Sequence, residues 1–169
     1  MNSELEKQKK FNRSLTIEGL GGWLILVQIG LYLTLLLIGY YSATGTIPIL
    51  LDSEFWTVLT SPDLEFYHPA VGPIIIFEAA YNFLLFGFII YILICFYQKK
   101  WIVPRLMIIF YSLSFLLAVA DAFLVFNIPF LRELDEGETM RDLGRSAMTC
   151  AIWIPYFRKS VRVQNTFVR

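Results

Sequence analysis

The stretch Phe115–Phe126 reads FLLAVADAFLVF, and every residue in it except Asp121 is apolar. It lies within a longer apolar run, residues 102–127, which is long enough to cross a hydrocarbon core of about 30 Å as a helix. Pro104 suits the first turn of such a helix, because the N–H that proline lacks has no partner there in any case. The run therefore predicts a membrane-spanning helix that carries a carboxylate.

The whole chain has the composition of a membrane protein. Of its 169 residues, 57% are hydrophobic and 17% are charged, which is far more apolar than a typical soluble domain. Two further apolar runs, residues 20–41 and residues 71–97, are also long enough to cross a membrane. The formal net charge is zero, and no basic surface for a nucleic-acid partner is evident in the sequence.

The distribution of basic residues predicts a fourth crossing. Residues 1–19, 98–105 and 158–169 hold eleven of the 14 lysines and arginines, whereas residues 42–70 hold none. The positive-inside rule places all three basic stretches in the cytoplasm, which requires an even number of crossings. The remaining apolar segment, residues 147–157, is too short and must be extended back to about Thr139, which would cap the helix.

We therefore predict an all-α fold, a polytopic four-helix transmembrane bundle that forms one membrane domain over residues 1–169, with both termini cytoplasmic. The predicted spans are residues 20–41, 71–97, 102–127 and 139–157, with an outer loop over residues 42–70 and a cytoplasmic tail over residues 158–169. The loop is acidic and rich in aromatic residues. Asp52 is a candidate cap for a short helix ending at Thr60, and Ser61–Pro62 is a candidate start of a second helix, so we expect an ordered loop.

The extended fourth span draws Arg145 into the membrane at about the depth of Asp121. A charge at the bilayer centre costs about 3 kcal/mol on insertion scales, so intramembrane charges usually face other helices and pair with one another. Helical phase places polar residues of spans two, three and four on inward stripes. We predict an intramembrane polar cluster in which Asp121 pairs with Arg145. Its members are Glu78, Asn82, Asp121, Arg141 and Arg145.

Signals for catalysis or for a cofactor are missing from the sequence. It contains no nucleophile motif, glycine-rich phosphate loop or HExxH pattern. His68 is the only histidine and has no cysteine or histidine at a metal-ligand spacing, while Cys95 and Cys150 lie in apolar segments, as buried thiols do. We predict no catalytic residues, no metal site and no cofactor, and hence a protein that is not an enzyme.

The tail WIPYFRKSVRVQNTFVR, residues 153–169, and the stretch GGWL, Gly21–Leu24, carry a family pattern. With them the chain resembles the bacterial inner-membrane family catalogued as domain of unknown function 2569, the YdgK-like proteins. The tail-motif residues are Trp153, Pro155, Tyr156, Ser160, Arg162, Val163, Thr166 and Phe167. The resemblance implies a multi-pass protein with four helices in the bacterial cytoplasmic membrane. It implies no activity and no catalytic residue.

Two functional hypotheses from different classes follow. The first is a non-enzymatic accessory, scaffold or interaction protein that presents its outer loop and its tail to a protein partner or to a second copy. The second is a small transporter or proton-coupled permeation unit that uses Glu78, Asp121 and Arg145, and that needs to oligomerise to form a path. A water-lined cavity reaching these residues would favour transport.

The tail itself allows two structures. Its basic residues Arg158, Lys159 and Arg162 are suited to lie against anionic lipid headgroups. The alternation of valines with Arg162 and Gln164 also permits an extended segment that docks on another surface. We therefore expect membrane lipids, including anionic headgroups at the cytoplasmic face, among the partners of the chain.

Overall fold

A computed structural model of the chain describes residues 4–6, 18–61, 69–128, 132–133, 135 and 137–169, without the side chains of residues 55 and 59. The described part contains helices and no strand, which confirms the all-α prediction. Residues 4–6 and 132–133 are also helical. The main helices are α1 (Trp23–Tyr41), α2 (Ile47–Leu51), α3 (Ser53–Thr60), α4 (Val71–Tyr97), α5 (Val103–Asn127), α6 (Glu138–Lys159) and α7 (Val161–Thr166).

Three helices are long and apolar enough to cross a membrane, as expected of a membrane protein. They are α4, α5 and the continuous helix Trp23–Leu51, which joins α1 to α2. α6 has 22 residues, a length sufficient for a crossing, but its first half is polar. The fourth crossing therefore remains a prediction.

The first spanning helix continues beyond residue 41, where the outer loop was predicted to begin. A π-helical turn, Ser42–Thr46, connects α1 to α2, and in it the N–H of Ile47 donates to the carbonyl of Ser42. Pro48 follows directly and has no N–H to donate. A wider turn at this point lets the helix pass the proline without a break.

Asp52 ends α2 and caps α3, as the sequence predicts. Its Oδ1 accepts a hydrogen bond of 3.0 Å from the N–H of Glu54, and α3 ends at Thr60. A Cβ added to Gly72 would lie 3.2 Å from Cγ2 of Thr60, so the start of α4 lies close against the end of α3. The second short helix, predicted after Ser61, lies outside the described residues.

The chain divides into two compact units. The central unit is residues 22–94, and the terminal unit is residues 1–21 together with residues 95–169. Within the terminal unit, α5 packs along α6. Sγ of Cys150 donates to the carbonyl of Tyr111 at 3.1 Å, and the ring centroids of Tyr111 and Phe157 are 6.4 Å apart. Cys150 therefore lies beside Tyr111.

The start of α6 differs from the prediction that Thr139 caps the helix. Gly137 has a left-handed φ of 84° and precedes the first helical residue, Glu138. The N–H of Thr139 donates to Oδ1 of Asp135 at 3.1 Å. The capping carboxylate thus comes from Asp135, and Thr139 is the residue that it caps. An aspartate is a stronger cap than a threonine because its charge also complements the helix dipole.

Candidate functional site

The tail after α6 folds back onto the terminal unit. Ser160 is extended and caps α7. Its hydroxyl accepts a hydrogen bond of 3.5 Å from the N–H of Val163, in the first turn of that helix. Val163, Thr166 and Phe167 are buried. The alternative of an extended tail that docks on another surface is therefore wrong, because the tail forms a helix and its apolar side chains are buried within the terminal unit.

Thr166 joins the tail to the start of the terminal unit. The N–H of Gly19 donates to Oγ1 of Thr166 at 2.9 Å, and the hydroxyl of Thr166 donates to the carbonyl of Gly19 at 3.3 Å. One buried hydroxyl thereby satisfies both backbone groups of Gly19. The φ of 90° at Gly19 lies in the left-handed region that favours glycine.

The residues after α7 are bound to the turn between α4 and α5. The ring of Phe167 meets that of Phe96 edge-on, with 5.1 Å between centroids. The N–H of Trp101 donates to the carbonyl of Arg169 at 2.6 Å, and the N–H of Arg169 donates to the carbonyl of Lys99 at 3.2 Å. The tail is thus held by main-chain hydrogen bonds as well as by packing.

Gly21 and Gly22 of the GGWL stretch are each required by the structure, for different reasons. A Cβ on Gly21 would lie 3.2 Å from Nη1 of Arg162, so glycine leaves room for the arginine of the tail motif. Gly22 has φ 61° and ψ −135°, a combination that only glycine adopts readily, and α1 begins at the next residue. The stretch Gly21–Leu24 therefore contains the turn that leads into α1.

The aromatic residues of the tail motif pack on one another in the last turns of α6. Trp153 meets Tyr156 edge-on at 5.7 Å, and Tyr156 meets Phe157 at 5.6 Å. Pro155 is exposed and lies within a helix that continues to Lys159. The hydroxyl of Tyr156 is buried and has no hydrogen-bond partner in the described part of the chain.

The ion pair that Arg145 forms is not the predicted one. Nη1 of Arg145 lies 3.1 Å from Oδ1 of Asp142, one turn earlier on α6, and the two side chains are 71% and 65% exposed. Asp121 is exposed on α5 and forms no ion pair with any described residue. The carboxylates of Asp135 and Asp142 lie within electrostatic range of it. The sequence signal for the observed pair is its spacing of three residues, which places both side chains on one helix face.

The other cluster residues belong to two different units. Glu78 is exposed and Asn82 is half-buried on α4 in the central unit, whereas Asp121, Arg141 and Arg145 lie in the terminal unit. The grouping of all five therefore stays a prediction. Arg141, Arg145 and Ile152 are exposed on α6 within the terminal unit, and the inward orientation predicted for the polar stripe of this helix stays a prediction.

The Asp142–Arg145 pair lies beside about the middle of α5, a helix long and apolar enough to cross a membrane. α5 and α6 are antiparallel, because α6 leads into a tail that returns to residues 99–101, before the start of α5. Cys150 lies beside Tyr111, so Arg145, five residues earlier, lies beside about Leu116. At the standard helical rise, Leu116 is about 16 Å from the end of α5 at Asn127.

No cluster of three or more histidine, cysteine, aspartate or glutamate side chains that could hold a metal ion occurs within the described ranges. Cys95 is buried and Cys150 is half-buried, and both are free thiols.

Comparison with known proteins identifies a family. No curated protein and no solved structure matches the chain. The family model described as "Protein of unknown function (DUF2569)" matches residues 17–168, a range that includes the Gly19–Thr166 contact and every residue of the tail motif. The chain therefore belongs to this DUF2569 family.

Proposed function

We propose that this chain is a non-enzymatic accessory or scaffold protein of the bacterial cytoplasmic membrane, which binds another membrane protein through α6. The observation that carries the proposal is the exposed Asp142–Arg145 pair beside the middle of a spanning helix. Lipid tails do not solvate charges, so intramembrane ion pairs are normally covered by protein or by water. The charged face of α6, defined as Glu138, Arg141, Asp142, Arg145 and Met148, is exposed in this chain.

The polar side chains of the spanning helices support a scaffold more than a transport path. Several hydroxyl and amide groups donate to the carbonyl four residues earlier in their own helix, which satisfies them without a partner helix or a file of water. They are Thr34, Thr44, Ser114, Asn127 and Thr149.

The tail is less suited to bind a partner than the sequence suggested. Val163, Thr166 and Phe167 are buried against the chain itself, so a partner would have to displace them. The charged face of α6 needs no such displacement. The partner we expect is a transmembrane segment with polar or charged side chains at the depth of Asp142 and Arg145, because such a segment would replace the missing solvation.

Photocrosslinking in native membranes tests this proposal. A photoreactive amino acid in place of Met148, which is 67% exposed on the charged face, is expected to form adducts with protein. The matched control is Phe83, which is 79% exposed on the apolar α4 and should give lipid adducts only. Protein adducts and lipid adducts at the two positions are distinguished by their mass.

The charge requirement is tested in the same experiment. Arg145→Glu places a like charge beside Asp142, and we expect it to reduce the protein adduct at Met148 by about tenfold, since a like-charge contact costs more than 1 kcal/mol away from water. An adduct of twice the mass of the chain would identify the partner as a second copy. Lipid adducts alone at Met148 would refute the proposal.

A transporter or proton-coupled permeation unit is the second candidate function. The observation that favours it is the group of Asp121, Asp135 and Asp142, of which only Asp142 forms an ion pair, with Arg145, among the described residues. A carboxylate left without an ion pair on a spanning helix is what a proton relay requires. Proton flux in proteoliposomes that Asp121→Asn abolishes would favour this function over the first.

A further inference from the structure

The turn between α4 and α5, residues 98–102, joins two helices that are each long enough to cross a membrane. With five residues it can only lie at a membrane surface, whichever side of the membrane that is. The terminal unit also brings Arg169 to this turn, through the hydrogen bonds to Lys99 and Trp101. Side chains at this end of the unit therefore meet the headgroup layer.

This end of the terminal unit is basic. Residues 98–105 and 158–169 contain seven lysines and arginines and no aspartate or glutamate. Among them, Lys100, Arg105 and Arg169 are exposed. Clusters of basic residues next to a spanning helix attract anionic lipid, and each contributes roughly a factor of five to the binding constant.

The basic side chains at the turn are arranged around an exposed indole. The guanidinium of Arg105 lies over the ring of Trp101, 5.0 Å from its centroid, and Trp101 is 56% exposed. This cation–π contact holds the guanidinium beside the indole, and the exposed guanidinium can bind a phosphate through two parallel hydrogen bonds. Tryptophan itself favours the headgroup level of a membrane.

The backbone of the turn holds this arrangement. Lys99 has φ 55°, a left-handed conformation that non-glycine residues rarely adopt. The N–H groups of Lys99 and Lys100 donate to the carbonyls of Phe96 and Cys95 at 3.1 and 3.0 Å, and Arg169 closes the other side. These two hydrogen bonds form the Schellman pattern that commonly ends a helix, so they fix the direction in which the chain leaves α4.

We propose that Lys100, Trp101, Arg105 and Arg169 form a binding site for the phosphate headgroup of an anionic phospholipid. The indole lies at the level of the glycerol backbone, Arg105 binds the phosphate, and Lys100 and Arg169 supply the remaining positive charge. This site lies at the opposite end of α5 from Asp121 and does not depend on a protein partner at α6.

Native mass spectrometry of the full chain tests the lipid site. The protein is released from micelles that contain equal amounts of phosphatidylglycerol and phosphatidylcholine, and the lipids that remain bound are counted. The unmodified chain is expected to retain phosphatidylglycerol preferentially. Lys100→Gln with Arg105→Gln should lower that preference about 25-fold, which corresponds to two removed charges.

The matched control removes two exposed arginines elsewhere. Arg132→Gln with Arg141→Gln, beyond the end of α5 and at the start of α6, is expected to leave the preference unchanged. Equal retention of the two lipids by the unmodified chain would overturn the proposal, as would an equal loss in the control. Unchanged melting temperatures show that each variant is folded.

Competition with glycerol 3-phosphate distinguishes a site for a lipid from a site for a soluble phosphate compound. Added in excess, it is expected to leave phosphatidylglycerol bound, because the acyl chains keep the headgroup at the site. Displacement of the lipid by glycerol 3-phosphate would assign the site to a soluble ligand and overturn the lipid proposal.

Discussion

Phe167→Ala is expected to lower the free energy of unfolding by about 3–4 kcal/mol, the range for an aromatic residue removed from a packed core. Phe167 is 5% exposed and its ring meets that of Phe96, which is fully buried. The same residue directs the chain toward the Arg169 contacts with the turn before α5. The loss combines transfer of the ring to solvent with the cavity that it leaves, and is measured by unfolding in detergent.

Val168→Ala is the control for this prediction. Val168 is the next residue and is 69% exposed, so we expect a change within about 0.5 kcal/mol. If Phe167→Ala is as mild as Val168→Ala, the tail is not docked on the terminal unit as the structure shows. In that case the tail would again be a candidate for binding a partner.

Arg145→Leu is expected to destabilise the protein by about 3 kcal/mol in lipid nanodiscs, because it leaves Asp142 as an uncompensated charge at membrane depth. The double variant Asp142→Leu with Arg145→Leu should recover most of this loss, since neither charge then remains. An exposed ion pair in water contributes only about 0.2–1 kcal/mol. The size of the coupling energy therefore reports whether the pair lies in the membrane or in solvent.

A second double-mutant cycle, which combines Asp121→Ala with Arg145→Leu, measures the coupling energy of the Asp121–Arg145 pair predicted from the sequence. The structure pairs Arg145 with Asp142 at 3.1 Å, so we expect the coupling of Arg145 to Asp142 to exceed its coupling to Asp121. The opposite order would mean that Arg145 turns to Asp121 in lipid. Coupling energies below a few tenths of a kcal/mol in both cycles would show that Arg145 forms no ion pair inside the membrane.

The helices were predictable from the sequence because long apolar runs have few alternatives in a membrane. Residues 71–97 form one helix, α4, and Asp52 caps α3 as its position before an apolar run indicated. The continuation of α1 to Leu51 was missed because the apolar run ends at Tyr41, and residues 42–46, SATGT, are small and polar. These residues form a π-helical turn, which hydrophobic periodicity does not predict.

The candidate site was less predictable because it depends on tertiary contacts. The Gly19–Thr166 hydrogen bonds join residues 147 positions apart, and no local pattern indicates such a pair. The sequence prediction paired Arg145 with Asp121 on another helix because the two residues were expected at about the same depth. The local spacing of Asp142 and Arg145 was the better guide, since neighbours on one helix pair without any requirement on helix packing.

The proposed function requires that α6 crosses the membrane and carries its charged face into it. Single cysteines at Lys100, Glu138 and Lys159, introduced with Cys95 and Cys150 replaced by alanine, are labelled with a membrane-impermeant maleimide in intact cells and in inverted vesicles. We expect Lys100→Cys and Lys159→Cys to react from the cytoplasmic side, and Glu138→Cys to react from the opposite side. Reaction of Glu138→Cys and Lys159→Cys from the same side would place α6 on the membrane surface and contradict the proposed function.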